Sequence, residues 1–508
     1  MSLASLKSRA LLGMESPLVA VEVHSSNGLP SFTIVGLPEA SVKESRERVR
    51  SALLSSGFQM PAKRITVNLA PADLPKTGGR YDLAIALGLL VACDQLKVDE
   101  LDQYECFGEL ALTGELRGVQ GLIPSLLAAK DSKHKLIVPR LNQAEADLVI
   151  HTYPQMRDRI YVVDDLLAAC RVLMDGGSFI EVNQLLDVVD DNLFDDLADV
   201  QGQTQAKRAL EVSASGHHSM MMVGPPGAGK SMLASRLISI LPKLSPHEAI
   251  EVASIRSLVG QDVSLQKFYQ RPFIQPHHTA SAAAMVGGGT VPKPGALSLA
   301  HSGVLFLDEL PEFNRAVLEA LREPLETKKV NIARVNQHVS YPADSLLITA
   351  MNPSPSGFFA DDYLGRCKDT PDQILRYQKK ISGPLLDRID LHLQVPAVDI
   401  KDLHKVDTME QESSQVIRQR VVQTRDVQLI RQGCFNSQLD VKALKVHARL
   451  DDSGIELLDK AAVELGLSAR GYHRILRVAR TLADMQSESQ ITLHHLAEAL
   501  SYRSQVNS

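Results

Sequence analysis

The sequence predicts a multidomain α/β protein whose centre is a mostly parallel sheet with helices on both faces. Three observations carry that expectation. Residues 220–223, 304–307 and 346–351 are short apolar runs separated by helix-patterned stretches, and parallel strands need such crossovers. A glycine-rich octapeptide follows the first run directly, at the carboxyl edge where ligands collect in these sheets. Residues 401–508 carry charged helical patterning without strand-like runs, so a helical region closes the chain.

The 508 residues leave room for two to four domains, and 44% apolar content is ordinary for globular chains. Aromatic residues make up 4% and Trp is absent, which weakens any scheme in which bases stack along a row of rings. A formal charge of −6 excludes a chain that is basic all over, while a local basic channel for nucleic acid stays open. The five cysteines are scattered and lack CxxC spacing, so neither a disulfide framework nor a four-cysteine zinc site is expected and a reducing cytoplasm fits. The first 30 residues lack signal-peptide organisation. The longest apolar run, 83–93, is about half of a membrane span and is expected to be a buried helix.

Along residues 1–175, the segments 18–23, 31–35 and 64–69 have strand-like β-branched content, and 40–54 has helical spacing after a Gly-Leu-Pro start. Residues 176–200 are acidic, with Asp187, Asp190, Asp191, Asp195, Asp196 and Asp199, and read as a solvated linker. A sheet-and-helix core spans 201–400, and 401–508 forms the helical region. No tandem repeat or low-complexity tract interrupts them.

The octapeptide is Gly224, Pro225, Pro226, Gly227, Ala228, Gly229, Lys230 and Ser231. It fits GxxxxGK[ST] without a gap, between a strand and a helix at 232–241. Glycines let the backbone wrap phosphate where a Cβ would intrude, and successive N–H groups at a helix start face the anion. Lys230 would neutralise the outer phosphates of ATP and Ser231 would ligate Mg²⁺. About 75 residues on, an apolar strand ends in Asp308 and Glu309. Asp308 would help to hold Mg²⁺, and Glu309 would polarise the attacking water. Asn352, after the strand at 346–351, would orient water and touch the γ-phosphate; before Pro353 it also reads as a turn starter.

Further segments carry a family resemblance. Phe273-Ile-Gln-Pro-His-His-Thr279, Gly287-Gly-Gly289, Ser298-Leu-Ala-His-Ser-Gly-Val-Leu-Phe-Leu-Asp-Glu-Leu310 and Ser382-Gly-Pro-Leu-Leu-Asp-Arg-Ile-Asp390 resemble the magnesium-chelatase-like AAA+ proteins. Within that group the likeness is to the YifB/ComM family and covers essentially the whole chain. The resemblance implies an AAA+ P-loop domain with a C-terminal helical lid, preceded by an α+β Lon-protease-like domain. It also implies a cytoplasmic homo-hexamer that uses ATP and Mg²⁺ to move DNA as a branch-migration helicase, linked to natural transformation, with recombination proteins as possible partners. Two rivals stay open: a motor for metal insertion into a tetrapyrrole, and a protein-remodelling motor.

The resemblance assigns Arg388 as an arginine finger for the neighbouring subunit's ATP; by its residues alone it reads equally as an ion-pair partner of Asp387 or Asp390. Arg470 resembles the arginine by which a lid senses nucleotide. Arg470, Arg474 and Arg477 share one helix face, and at least one could be a solvated charge or a DNA contact. Relatives carry a hairpin and an insertion near the pore. Here the hairpin corresponds to Lys328-Lys-Val-Asn-Ile-Ala-Arg-Val-Asn-Gln-His-Val-Ser-Tyr341, and the insertion to the loop at 287–295. Lys293, Lys328, Lys329 and Arg334 are candidates for phosphate contacts blind to sequence; ordinary exposed cations are the alternative.

His277 and His278 lack a third ligand at metal spacing, so structural hydrogen bonding is expected of them. Where some relatives carry several cysteines after the Asn-Pro element, this chain has Ser354, Ser356, Cys367 and Asp369, and no zinc is expected. Gly108-Glu-Leu-Ala-Leu-Thr-Gly-Glu-Leu-Arg-Gly-Val-Gln-Gly121 and Pro75-Lys-Thr-Gly-Gly-Arg80 resemble the proteolytic domain of Lon. By that likeness Arg80 stands at the nucleophilic serine and Ile123 at its lysine, and neither can do that chemistry. Lys43, Arg46, Arg48 and Arg50 are interrupted by Glu44 and Glu47 and read as a solvated helix face rather than a DNA contact.

Overall fold

Two sheets organise the chain, and each is built from β-branched and aliphatic runs that bury at least one face. The computed structural model describes residues 2–175, 195–289, 291–334, 337–359, 362, 365–397 and 411–503. The acidic segment 176–194 and the core–lid boundary at 398–410 therefore lie outside the described residues.

The first sheet contains β1 (Ser2–Arg9), β2 (Leu18–Ser26), β3 (Ser31–Val35), β4 (Arg64–Ala70), β5 (Tyr104–Cys106), β8 (Lys135–Pro139) and β9 (Ile160–Val163), in the order β3-β4-β2-β1-β5-β8-β9. A small ladder pairs β6 (Glu109–Leu110) with β7 (Leu116–Arg117). The β1–β2 and β2–β4 pairs are antiparallel, and the far half of the sheet is parallel. Alternation in β2 and β4 puts Val19, Val21, Val23, Ile65, Val67 and Leu69 in the core. The run expected as a buried helix is the helix Asp82–Ala92, buried along nearly its whole length. The expected helix at 40–54 is broken at Glu44 into Ala40–Lys43 and Ser45–Ser55.

Strand β1 escaped the pattern reading because its buried positions, Ala4, Leu6, Ser8 and Arg9, mix small, polar and charged side chains. Arg9 is buried against Glu105 with Nε to Oε2 at 2.6 Å and Nη2 to Oε1 at 2.9 Å. Such a bidentate pair satisfies both ions away from water.

The second sheet contains β10 (Met220–Val223), β11 (Phe273–Ile274), β14 (Val304–Leu307), β17 (Leu346–Met351) and β18 (Leu391–Gln394) in the order β11-β14-β17-β10-β18, all parallel. Strands buried on both faces must be apolar throughout, and Val304–Leu307 and Leu346–Met351 are buried at every position. Two short hairpins stand off this sheet: β12 (Gly287–Gly288) with β13 (Lys293–Pro294), where the sequence suggested only a loop, and β15 (Lys329–Arg334) with β16 (Gln337–Pro342). The Tyr341 hydroxyl donates to the Pro292 carbonyl at 2.8 Å and ties the hairpins together.

From residue 411 onward the described residues form helices, the longest being Ser414–Gln432 and Ala469–Met485. Part of the acidic stretch is pinned rather than solvated. Asp196 caps the turn Leu197–Asp199 and accepts from the backbone N–H and hydroxyl of Ser414 at 2.8 and 2.9 Å.

The two sheets meet through the helix Pro246–Leu258. Ser257 donates to Glu145 at 2.6 Å and its carbonyl accepts from the Gly121 N–H at 3.0 Å. Gly13, in the turn between β1 and β2, has φ +64° and lies so close to the β15–β16 hairpin that a Cβ there would stand 2.1 Å from Val339 Cγ1. The first domain thus braces the middle of that hairpin.

Candidate functional site

Parallel strands deliver their carboxyl ends to one edge, and the five-stranded sheet uses that edge to gather residues from three separate segments. The P-loop leaves β10 and enters the helix Lys230–Ile240. Gly227 and Gly229 turn with φ +78° and +84°, and a Cβ at either would meet nothing within 4 Å. Steric room alone would admit a side chain there; the left-handed backbone is what requires glycine. Gly224 is glycine for another reason, since a Cβ would lie 2.2 Å from the Val395 carbonyl oxygen.

Lys230 folds over the loop and donates to the Gly224 and Pro225 carbonyls at 2.7 and 3.0 Å and to Asn352 Oδ1 at 3.1 Å. Burial lowers its pKa, opposed by Asp308 and Glu309. The Ser231 hydroxyl donates to Asp308 Oδ2 at 2.8 Å. A hydroxyl and a carboxylate side by side are hard oxygen donors, the set that Mg²⁺ takes together with phosphate and water. The open glycine turn and this pair therefore fit a Mg²⁺-nucleotide. Lys230, Ser231, Asp308, Glu309 and Asn352, drawn from three stretches of sequence, are brought together.

Glu309 has φ +53°, a conformation that costs a non-glycine residue free energy and is held by its surroundings. Its carboxylate, 54% exposed, lies 3.3 Å from His278 Nδ1. The in-register pairing of Ile274 with Leu305 explains the meeting: the chain beyond β11 leaves the sheet beside the chain beyond β14. The histidines were expected to make structural hydrogen bonds. His277 does so with Thr279 at 2.8 Å, while His278 faces the candidate general base. Sequence spacing held no signal for that contact. A cleft of about 430 Å³ opens beside Glu309 and Asn352, with Arg376, Tyr377 and Lys380 on its other wall.

Arg388 and Arg470 are not part of this cluster. Ser219, just before β10, donates to the Arg388 carbonyl at 3.0 Å, which puts Arg388 at the amino edge of the sheet. The four residues of β10 separate the edges, roughly 13 Å of strand. Arg388 pairs with Glu326 at 2.5 Å and with the Pro384 carbonyl at 2.7 Å, not with Asp387 or Asp390. Arg470, 64% exposed, reaches the same Glu326 oxygen at 3.9 Å. Arg474 holds Asp390 and the Arg388 carbonyl, and Arg477 holds the Leu439 carbonyl. Two of the three arginines on that helix face are thereby engaged within the chain.

Of the candidate cations, Lys293 and Lys329 are exposed on the two hairpins. Lys328 lies at the hairpin base, paired with Asp344 at 3.1 Å. The Arg334 side chain falls outside the described residues. The Ser356 N–H donates to Asp369 at 2.7 Å and its hydroxyl meets that of Ser354 at 3.1 Å, and among the described residues no cluster of three or more His, Cys, Asp or Glu could hold a metal. In the first domain Arg80 is buried and donates to Ser125 at 3.1 Å, while Ile123 is fully buried. Among the described residues no helix is long and apolar enough to cross a membrane.

A P-loop, a strand-borne Asp-Glu pair and a strand-borne Asn on one edge of a parallel sheet, with a helical region behind, define a nucleotide-binding module of the AAA+ class. The description "Magnesium chelatase, subunit ChlI" matches residues 196–403, "Subunit ChlI of Mg-chelatase" matches 21–142, and "Magnesium chelatase, subunit ChlI C-terminal" matches 411–503. Competence protein ComM of Haemophilus influenzae is 49% identical over 506 residues, covering 100% of this chain and 98% of the relative. YifB of Escherichia coli is 48% identical over 503 residues, covering 99% and 97%. A shorter match to Lon protease 2 of Bacillus subtilis is 28% identical over 183 residues, 31% of this chain and 33% of that protein. The chain belongs to the YifB/ComM family of magnesium-chelatase-like AAA+ proteins.

Proposed function

We propose that this protein is a hexameric ATPase that moves branched DNA, in which each subunit binds ATP at the carboxyl edge of its sheet and completes its neighbour's site from the amino edge. The observation that carries this is the separation of the two edges. Lys230, Ser231, Asp308, Glu309 and Asn352 lie together, while Arg388 and Arg470 lie across the sheet, separated from them by about 13 Å of strand. A guanidinium that cannot serve its own nucleotide serves the next subunit's, and a closed ring gives every site a donor.

In each site Lys230 would draw charge from the outer phosphates, and Ser231 with Asp308 would hold Mg²⁺, which screens those phosphates when bound. Glu309 would take the proton of the attacking water, and Asn352 would orient that water. Arg388 of one subunit would spread the charge developing on the phosphoryl group bound to the next. Lys293 and Lys329, exposed on linked hairpins, are suited to phosphate contacts that ignore sequence. The relative named a competence protein supports a competence-related role, in which we place the protein with DNA and recombination partners in the cytoplasm. Arg80 and Ile123 supply neither nucleophile nor base, so we assign the first domain a structural role rather than proteolysis.

The test is ATP-dependent disassembly of a synthetic three- or four-stranded DNA junction by the purified hexamer. Junction dissociation with ATP is expected, lost in Lys230→Ala and in Glu309→Gln. ATPase activity stimulated by casein and not by forked DNA would favour a protein-remodelling motor instead.

A further inference from the structure

The amino edge of the sheet opens on a cavity of about 520 Å³ between the core and the C-terminal helices. Five of its lining residues are Arg or Lys (Arg388, Arg470, Arg474, Arg477 and Lys328) and two are acids, Glu326 and Asp390. Asp390 is occupied by Arg474 and by His218, the latter at 3.2 Å. That leaves Glu326 as the counterion of Arg388 and Arg470, at 2.5 and 3.9 Å. Arg388 is only 9% exposed in its side chain, and among the described residues its buried Nε has no hydrogen-bond acceptor. A buried guanidinium with an unused N–H, beside other cations, is incompletely neutralised. A polyphosphate, with several oxygens and more charge than one carboxylate, would satisfy it better.

Glu326 is also tied directly to the β15–β16 hairpin. It lies in the helix Arg322–Thr327, whose C-cap Lys328 has φ +59° and leads straight into β15. The Lys328 carbonyl accepts from the Ala343 N–H at 2.9 Å, and the Thr327 hydroxyl donates to the Lys329 carbonyl at 3.0 Å. The carboxylate that holds the two arginines is therefore joined rigidly to the base of the β15–β16 hairpin.

We infer that Glu326 is an exchange anion: it holds Arg388 and Arg470 in the absence of nucleotide, the phosphates of the adjacent subunit's ATP take its place, and its release shifts the β15–β16 hairpin. This rests on the reading that Arg388 acts on a neighbour's ATP. Glu326 is a positioning residue in this scheme, since it touches the arginines and not the substrate. Displacing a half-exposed carboxylate makes ATP engagement at the interface weaker than it would be with a neutral residue there.

The experiment compares native protein with Glu326→Gln, which keeps shape and removes charge, and Glu326→Asp, which keeps charge. In assembled protein the ATP concentration giving half-maximal hydrolysis is expected to fall about two- to fivefold in Glu326→Gln, the range of a partly exposed ion pair, and to return toward the native value in Glu326→Asp. Affinity of unassembled subunits for a fluorescent ATP analogue should not change. Amide hydrogen exchange over 329–342 should rise on ATP binding in the native hexamer and be raised already without ATP in Glu326→Gln. A half-saturating concentration equal to or above the native one, or hairpin exchange indifferent to both ATP and the substitution, would overturn the inference. Arg388→Ala separates the two levels of the argument. Full activity in that variant removes the neighbour-acting arginine and this scheme with it; an inactive Arg388→Ala beside a native-like Glu326→Gln removes the exchange role alone.

Discussion

The two edges of the five-stranded sheet are built on different terms. At the carboxyl edge the polar groups answer one another within the subunit: Lys230 finds Asn352 and two carbonyls, and Ser231 finds Asp308. At the amino edge cations outnumber anions, and among the described residues a buried N–H of Arg388 finds no acceptor. Backbone geometry supplies the first edge, because strand ends and a helix start aim donors at one point. The second edge is assembled from side chains of the Arg322–Thr327 helix and its cap, the segment between β17 and β18, and the C-terminal helices, and among the described residues lining it the cations outnumber the acids. One edge is a self-contained cradle; the other, on the function proposed above, is half of an interface.

The largest effect that could break this comparison is loss of the interface arginine. Arg388→Ala should lower ATP turnover in the assembled state by about 10³-fold, the lower end for a guanidinium donated to a phosphoryl group, with ATP binding to separate subunits retained. Mixing makes the test sharper. Arg388→Ala and Lys230→Ala should each be inactive alone, yet rings formed from both should recover partial turnover, because some interfaces join an intact cradle to an intact arginine. Mixed rings without recovery would mean that both residues serve the same subunit.

A smaller effect probes whether the carboxyl edge is as self-contained as its backbone suggests. His278 lies against Glu309, and Glu309 sits in a left-handed conformation. A base whose carboxylate is steered by a neighbour loses rate when the neighbour goes, typically by the value of one hydrogen bond, about 1–1.5 kcal/mol. His278→Ala should therefore reduce kcat about tenfold with KM for ATP unchanged, and His278→Asn should recover part of the loss. A change in KM without a change in kcat would assign His278 to binding instead.

What the sequence made legible follows from this difference between the edges. The P-loop, the strands Val304–Leu307 and Leu346–Met351, and the roles suggested for Lys230, Ser231, Asp308, Glu309 and Asn352 are contiguous or strand-end signals, and pattern reading captures local physics. The amino edge is written in long-range contacts. Glu326 stands 62 positions before Arg388, and nothing in its helix distinguishes it from a solvated glutamate. His278 meets Glu309 only because β11 and β14 pair in register. The buried Arg9–Glu105 pair hid β1 behind a charged residue, and the Gly13 turn reads as an ordinary loop until the hairpin is packed on it. The arginines at 470, 474 and 477 share a face, as their spacing requires, but spacing does not say which of them is spent on Asp390 and Leu439.

The smallest effect concerns how firmly the amino edge is held, and it has a pH signature. His392 in β18 is 5% exposed, and burial, aided by Arg503, lowers its pKa to about 3. An unfolded histidine titrates near ~6.5. The folded value is the lower one, so between these limits the unfolded chain binds a proton that the folded chain refuses. The contribution is fully present above ~6.5 and is lost as pH falls toward the folded value. From pH 6.5 to 5.5 that linkage amounts to about 1 kcal/mol. The check is the denaturant midpoint of native protein and of His392→Asn at both pH values. The native chain should lose about 1 kcal/mol more over that step than the variant does. Equal losses would mean that His392 takes its proton without leaving the fold, and that the strand carrying Asp390 into the amino edge is less tightly closed than its burial indicates.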